Sequence, residues 1–291
     1  MHFSIVTPAR AIDNKTQQTI DCVFKQNFKG KFEHIVIIDD QKEMLPKDLS
    51  NKNYSIKYIR SCKNPGPSSS RNEGISISKG KIICLLDSDD IWEFDYLKNL
   101  AKIFDQDKSI SAVSVPGYCF GENIRSSKLI TAWQQDGFIS NSAISWNIIG
   151  CPSGFSFLHS LKDKMVFNEN LRWCEDFYFY LNFISIKNLK IFRTNKFNYW
   201  YRISDEQVSN KPDVAMIEDS KNAFMESFKK EFSNLISVKE SMNVYIQAQR
   251  SFKKAIGKNI FLYTIILSII SPSWFFATLI KLLHKKKLFH M

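Results

Sequence analysis

Lys81-Ile-Ile-Cys84-Leu-Leu86-Asp87-Ser88-Asp89-Asp90-Ile91-Trp92 decides how this chain reads. Ile82–Leu86 is a short apolar run of the kind that forms a strand buried on both faces. It runs straight into three carboxylates, Asp87, Asp89 and Asp90. Crowded carboxylates repel each other and lose hydration, so such a cluster points to a cation. The hard divalent ions Mn²⁺ and Mg²⁺ take oxygen ligands and leave positions open for phosphate. The stretch therefore points to a nucleotide-linked substrate.

Working outward, apolar runs alternate with helix-like spacing. Phe3–Thr7 reads as a strand stopped by Pro8, and Lys15–Gln26 as a helix with Ile20, Val23 and Phe24 on one side. Phe32–Ile38 and Tyr54–Arg60 read as strands. Ser68–Ser78 reads as a helix after the turn signal Asn64-Pro-Gly-Pro67, and Asp95–Phe104 as the next helix. This alternation predicts an α/β fold with a largely parallel sheet covered on both faces. Ligands of such sheets sit beyond the carboxyl ends of the strands, which places Thr7, Asp39-Asp40 and Asp87–Asp90 on one edge. Further on, Val113–Val115, Gly154–Leu158, Ile191–Arg193 and Tyr199–Ile203 read as extended. Trp173–Ile186 reads as an aromatic-rich helix, and Asp213–Phe232 and Val238–Ala255 as long helices.

The chain has 291 residues, is 44% hydrophobic and carries a net charge of +11. The positive excess concentrates at Lys253, Lys254, Lys258, Lys281 and Lys285–Lys287, around the uncharged run Asn259–Ile280. Basic residues that flank an apolar tail suit an anionic membrane surface. A nucleic-acid footprint would spread them along a reading face, so no nucleic-acid partner is expected. Pro272 breaks the run and lysines flank both ends, so two helices lying in the interface account for it better than one spanning helix. A spanning or re-entrant segment and a buried hairpin or oligomer interface remain as alternatives. The six cysteines show no metal-ligand spacing. The start enters a strand with no secretory pattern, so reduced thiols in a cytosolic setting are expected.

Several segments, in order, resemble the family 2 glycosyltransferases with the GT-A fold. Ser4-Ile-Val-Thr7-Pro8 resembles the opening strand, and Ile35-Val-Ile-Ile-Asp39-Asp40 the second-strand motif. Pro67-Ser-Ser-Ser-Arg71-Asn72-Glu73-Gly74 is similar to Ala-Arg-Asn-x-Gly, and Asp87-Ser88-Asp89 to the Asp-x-Asp motif. Phe167 to Asp176 resembles the acceptor-side Glu-Asp motif. Tyr201-Arg202 and Val208-Ser209 resemble the closing strand and loop. The likeness spans roughly residues 3–210.

That resemblance implies a mixed sheet flanked by helices, with a GT-A catalytic domain over 1–210, split into a nucleotide-sugar half (1–108) and an acceptor half (109–210). A helical extension (211–257) and a basic membrane-associating tail (258–291) follow. It implies an inverting, metal-dependent transfer from a nucleotide sugar, UDP-linked by preference. The acceptor would be a glycan or lipid-linked glycan in surface polysaccharide, lipopolysaccharide or capsule assembly, at the cytoplasmic face of the cell membrane. Thr7, Pro8, Asp40, Arg71, Asp87, Ser88 and Arg202 would contact the donor, and Asp89 would ligate Mn²⁺ or Mg²⁺. Asp176 would be the general base, with Glu175 and Trp173 on the acceptor. One carboxylate suffices as base, and a cation relieves the leaving diphosphate.

The pattern also departs from the family. Gln41-Lys42 replaces an expected Gly-Ser, Phe94 replaces a Pro, and a His usual after Tyr-Arg is missing. Two other readings stand beside the transferase. One is a phosphatase or phosphotransferase with Asp87 as nucleophile, for which Ile91 departs from the usual motif. The other is a non-catalytic nucleotide- or glycan-binding membrane module. As structural alternatives, Ser88 or Asp90 would merely cap the next helix, and Asp176 would merely favour a helix dipole.

Overall fold

The computed structural model describes residues 2–61, 66–121, 136–145, 147, 149–204, 213–232, 235, 244 and 248. The Asn64–Pro65 part of the turn signal, the loop at Val208-Ser209, nearly all of 238–255 and the tail 258–291 lie outside these residues. Among the described residues no helix is long and apolar enough to cross a membrane.

The first half runs β1 (Phe3–Ala9), α1 (Asn14–Phe24), β2 (Phe32–Ile38), β3 (Leu49–Ser50), β4 (Tyr54–Arg60), α2 (Pro67–Ile77), β5 (Ile82–Leu85), β6 (Ile91–Trp92) and α3 (Tyr96–Gln106). The second half runs β7 (Ala112–Ser114), β8 (Gly117–Phe120), β9 (Gly137–Ile139), α4 (Asn141–Ile144), β10 (Phe155–Leu158), α5 (Glu175–Ser185), β11 (Ile191–Arg193), β12 (Tyr199–Arg202) and α6 (Val214–Glu231). Among the described residues, nine strands form one sheet in the order β3-β4-β2-β1-β5-β10-β7-β11-β9, and β6-β12-β8 form a second. The block β4-β2-β1-β5 is parallel, whereas β10 runs antiparallel to both β5 and β7. The sheet is therefore mixed, as the family resemblance implied and in place of the largely parallel sheet that the alternation alone predicted; β3 on β4 and β9 on β11 are antiparallel too.

Side chains alternate across this sheet as the two-residue period requires. Phe3, Ile5, Ile82 and Cys84 face a core shared with Ile20 and Val23 of α1 and Leu97, Leu100 and Phe104 of α3. Val6, Ile83, Leu85, Phe155 and Phe157 face the other core, with Phe177, Phe179, Tyr180 and Phe183 of α5 and Phe224 and Phe228 of α6. Both faces are covered, so the parallel strands read as unbroken apolar runs. α6 belongs to the same core as α5, and Val244 and Ala248 are also fully buried there.

β1 does not stop at Pro8 as expected; it continues to Ala9. The Val6 carbonyl accepts from Leu86 on the β5 side, while the Ala9 carbonyl accepts from Asp39 on the β2 side. Pro8, two residues after Val6, also faces the β5 side, where β5 has already ended. Its missing N–H removes no ladder bond, and proline is tolerated in that position.

Helix α2 lies close on β1. A Cβ built on Gly74 would stand 2.4 Å from Val6 Cγ1. Asn72 pins the other side of the helix: its amide donates to the Phe167 carbonyl at 2.9 Å and accepts from the Phe167 N–H at 2.8 Å. The Arg-Asn-x-Gly stretch is thus a docking device, with glycine against the sheet and asparagine against the segment that leads to α5. Gly74→Ala sets two effects against each other. Alanine is favoured over glycine inside a helix by about 1 kcal/mol, but overpacking costs about 1–3 kcal/mol. We predict a net loss, read as a lower urea midpoint; an unchanged or higher midpoint would mean that Val6 and α2 give way freely.

Candidate active site

The parallel strands end at one edge of the sheet, and the acidic motifs follow them there. After β2, Asp39 holds the start of α2, with Oδ2 accepting from the Gly66 amide at 2.8 Å and Oδ1 from the Ser70 hydroxyl at 2.7 Å. Asp40 is partly exposed, and its Oδ1 accepts from the Lys42 amide at 2.8 Å. The atypical Gln41-Lys42 turn is clasped by Arg60, whose guanidinium donates to the carbonyls of Asp40, Gln41 and Glu43. Pro8 and Thr7 are buried, and the Thr7 hydroxyl lies 2.9 Å from His34 Nε2 inside the sheet. Thr7 therefore turns its side chain away from the edge where the expectation had placed it. Burial pushes His34 down to about 3, so it is neutral at physiological pH.

The turn after β5 divides its three carboxylates by environment. Asp87 pairs with Arg71 at 2.7 Å. Asp90 is fully buried, accepting from the Ser153 hydroxyl at 2.5 Å and from the Arg202 amide at 2.9 Å. Burial first, then the charges of Asp89 and Asp87, raise Asp90 well above the usual carboxylate range. Neither Asp90 nor Ser88 caps the next helix: β6 intervenes, and α3 starts from Asp95. Asp89 is partly exposed, and its carbonyl accepts from Arg202 Nε at 2.8 Å. Arg202 also donates to Gln18 at 2.7 Å and lies 4.5 Å from the centre of the Phe120 ring. Ser88, partly exposed, is fixed through its carbonyl by the Thr19 hydroxyl at 2.9 Å.

Ser153 was missed in the sequence. It is fully buried, its hydroxyl accepts from the Asp87 amide at 2.9 Å while donating to Asp90, and its carbonyl accepts from the Trp92 indole at 2.8 Å. One hydroxyl thus clamps both ends of the Asp87–Asp90 turn. The only local signal was a run of small residues, Pro152-Ser-Gly154, ahead of an apolar strand.

From the other half of the chain, α5 brings Glu175 and Asp176. Cys174 precedes them in the left-handed region, with φ +60°. Arg71, 4% exposed, joins the two halves, with one nitrogen on Asp87 and another 3.3 Å from Glu175. Its guanidinium also lies 5.1 Å from the centre of the Phe167 ring, which stacks on Phe179 at 4.0 Å. Burial alone would lower the Arg71 pKa; Asp87 and Glu175 outweigh it, and the net direction is up. Burial, then the Glu175 charge, pushes Asp176 up to about 7 against the restraining charge of Arg71. Trp173 is partly buried against the aromatic core.

Among the described residues no three His, Cys, Asp or Glu side chains converge to hold a metal unaided. The donor set still suits a divalent ion shared with a ligand. Asp89, partly exposed, is the carboxylate of the Asp-x-Asp likeness that would hold such an ion, beside Asp87 paired with Arg71 and Asp90 bonded to Ser153 and Arg202. A cation there would relieve the crowding that raises Asp90. An aspartyl nucleophile suits the site less well, because the Asp87 carboxylate is held in an ion pair.

Comparison with known proteins adds the following. The profile described as Glycosyl transferase family 2 matches residues 4–164. The minor teichoic acid biosynthesis protein GgaA of Bacillus subtilis is 28% identical over 219 residues, covering 71% of this chain and 48% of GgaA. A poly(ribitol-phosphate) beta-glucosyltransferase of Bacillus spizizenii is 25% identical over 218 residues, covering 70% of this chain and 32% of that protein. The chain thus spans half or less of the length of these relatives. The crystal structure of S. aureus TarS 1-349 in complex with UDP-GlcNAc superposes with a TM-score of 0.58 at 18% identity, covering 88% of this chain and 81% of that one. At that identity the likeness establishes the fold, which is consistent with GT-A.

The raised Asp176 predicts a stability effect of definite sign. Its folded pKa exceeds the unfolded one, so the folded state loses stability as pH rises from about 4 to about 7. Asp176→Asn removes that loss. The variant is expected to unfold at a higher denaturant midpoint than the parent at pH 8 and to match it near pH 4. Equal midpoints at both pH values would contradict the assignment.

Proposed function

The chain belongs to glycosyl transferase family 2, and on that premise we propose that it moves a sugar from a UDP-linked donor to a hydroxyl of a bacterial surface polymer. The observation that carries this reading is the Arg71 link, which sets the donor-side acid Asp87 and the acceptor-side acid Glu175 against one guanidinium. The names of GgaA and of the poly(ribitol-phosphate) enzyme favour a polyol-phosphate polymer as the first acceptor class to test; a lipid-linked glycan is the next.

The roles follow from the chemistry each group offers. Asp40 accepts the N3–H of uracil, a contact that favours uridine. Asp87 and Ser88 meet the nucleoside end, with Pro8 at the neighbouring strand end, and Arg202 steadies the turn from outside. Asp89 holds the divalent ion, which when bound neutralises the charge growing on the departing diphosphate. Arg71 keeps Asp87 and Glu175 in register. Glu175 and Trp173 orient the acceptor, and Asp176 takes the proton of the attacking hydroxyl. The acceptor oxygen bonds to the anomeric carbon from the face opposite the diphosphate, whose C–O bond breaks with its electron pair. A single displacement inverts the configuration, and no glycosyl-enzyme bond forms. A base raised to about 7 is suited to neutral pH, since proton transfer is most effective when the pKa lies near the working pH.

The apolar, lysine-flanked stretch 253–291 supports attachment to the cytoplasmic leaflet, where a membrane-borne acceptor is concentrated.

The test is turnover of a UDP-sugar with Mn²⁺ and a surface-polymer acceptor. We expect release of UDP that EDTA abolishes, and kcat/KM that rises with pH through about 7 to a plateau. Asp89→Ala loses metal-dependent donor binding. Asp176→Asn keeps donor binding and loses transfer by about 10²-fold or more. Equal loss of donor binding in both variants would break the division of roles, and metal-independent turnover would remove the ion from Asp89.

A further inference from the structure

The N-terminal end of α2 forms one wall of a small cleft that no role above uses. Gly66, Ser68 and Ser69 line it on one side, and Glu169, Leu171 and Arg172 on the other. The helix is 11 residues long, begins with Pro67, carries no acid in its first turn and has no side-chain cap. Its N-terminal end presents amide N–H groups with their partial positive charge. Asp39 takes the Gly66 amide from one flank. Ser69, 3% exposed, lines the cleft, and its hydroxyl has no hydrogen-bond partner. A buried hydroxyl without a partner is costly unless a ligand supplies one.

The opposite wall carries charge of both signs. The Arg172 main chain is fixed by the Ser220 hydroxyl of α6 at 3.1 Å, while its side chain is exposed. Glu169 is exposed and accepts from Asn72 at 2.9 Å. A guanidinium, a helix N-terminus and an unpaired hydroxyl suit phosphate oxygens. A carboxylate beside them disfavours a bare anion but suits an alcohol donor. The combination matches a phosphodiester flanked by hydroxyls. Arg172 also precedes Glu175 and Asp176 by less than five residues, so a phosphate held there leaves a neighbouring hydroxyl of the same polymer on the acceptor side.

We propose that this cleft binds a phosphodiester of a polyol-phosphate acceptor. Arg172, the first amides of α2 and the Ser69 hydroxyl take the phosphate oxygens, and Glu169 takes a polyol hydroxyl. The inference rests on the glycosyltransferase reading and narrows its acceptor.

The experiment uses the full chain saturated with UDP and Mn²⁺, titrated calorimetrically with a glycerol-phosphodiester oligomer and, separately, with a neutral oligosaccharide of similar length. The oligomer is expected to bind and the neutral chain to bind more weakly. Arg172→Glu should weaken the oligomer on the order of tenfold, and Ser69→Ala less, with UDP affinity unchanged in both. Arg172→Gln, a milder change, guards against misfolding and should fall between parent and Arg172→Glu. A parent that does not bind the oligomer, variants that bind it as the parent does, or a neutral chain bound equally well would each overturn the cleft's role. UDP-sugar turnover on a neutral acceptor, untouched by Arg172→Glu, would overturn the inference while leaving the transferase intact. Absence of UDP-sugar consumption with any acceptor would instead defeat the transferase reading.

Discussion

A single buried guanidinium holds the candidate site together. Arg71 reaches Asp87 across 2.7 Å and Glu175 across 3.3 Å, so the turn after β5 and the start of α5 share one cation. A buried charge survives only when paired, and breaking such a pair costs about 3–5 kcal/mol. The two halves of the chain are therefore tied at the point where the proposed donor and acceptor sites meet. Phe167 under the guanidinium and Asn72 on the backbone of Phe167 make the tie rigid from below. Gly74 lets the helix that carries Arg71 sit against β1.

The Glu175–Asp176 side is braced again from α6. The Ser220 hydroxyl accepts from the Arg172 amide, Ser227 lies 3.0 Å from Asn168, and the Tyr178 hydroxyl donates to Glu231 at 2.7 Å. These tethers run along both flanks of the Glu175–Asp176 pair. Beneath them Phe224 and Phe228 pack with Tyr178 and Phe177 in one core. α6 therefore braces the segment and the first turn of α5 that carry the proposed base.

Much of this was legible in the sequence, for identifiable reasons. β2 and β4 fall on the residues expected, because a strand buried on both faces writes itself as an apolar run. The helices α1, α2, α3, α5 and α6 lie within two residues of their expected limits, since their apolar spacing survives in a single sequence. The missed strands β3, β6, β8 and β9 have two to four residues each. They are defined by what they pair with and lie mostly exposed or half-buried, so no buried apolar run marks them. The same holds for the site. Asp87, Asp89, Arg71 and the Glu175–Asp176 pair announced themselves as motif residues. Ser153 did not, since its importance comes from a fold that carries it to both ends of the acidic turn. Thr7 is a different case: its motif position was conspicuous, but that its hydroxyl turns inward to His34 in the next strand could be seen only in the fold.

The most direct test is a crystal structure of the chain with UDP and Mn²⁺. The account predicts the ion on the Asp89 carboxylate, the diphosphate in the crevice bridged by Arg71, and the Asp176 carboxylate facing that diphosphate across the space for a sugar. An ion on Asp90, or a nucleotide on a surface that Asp176 does not share, would contradict it.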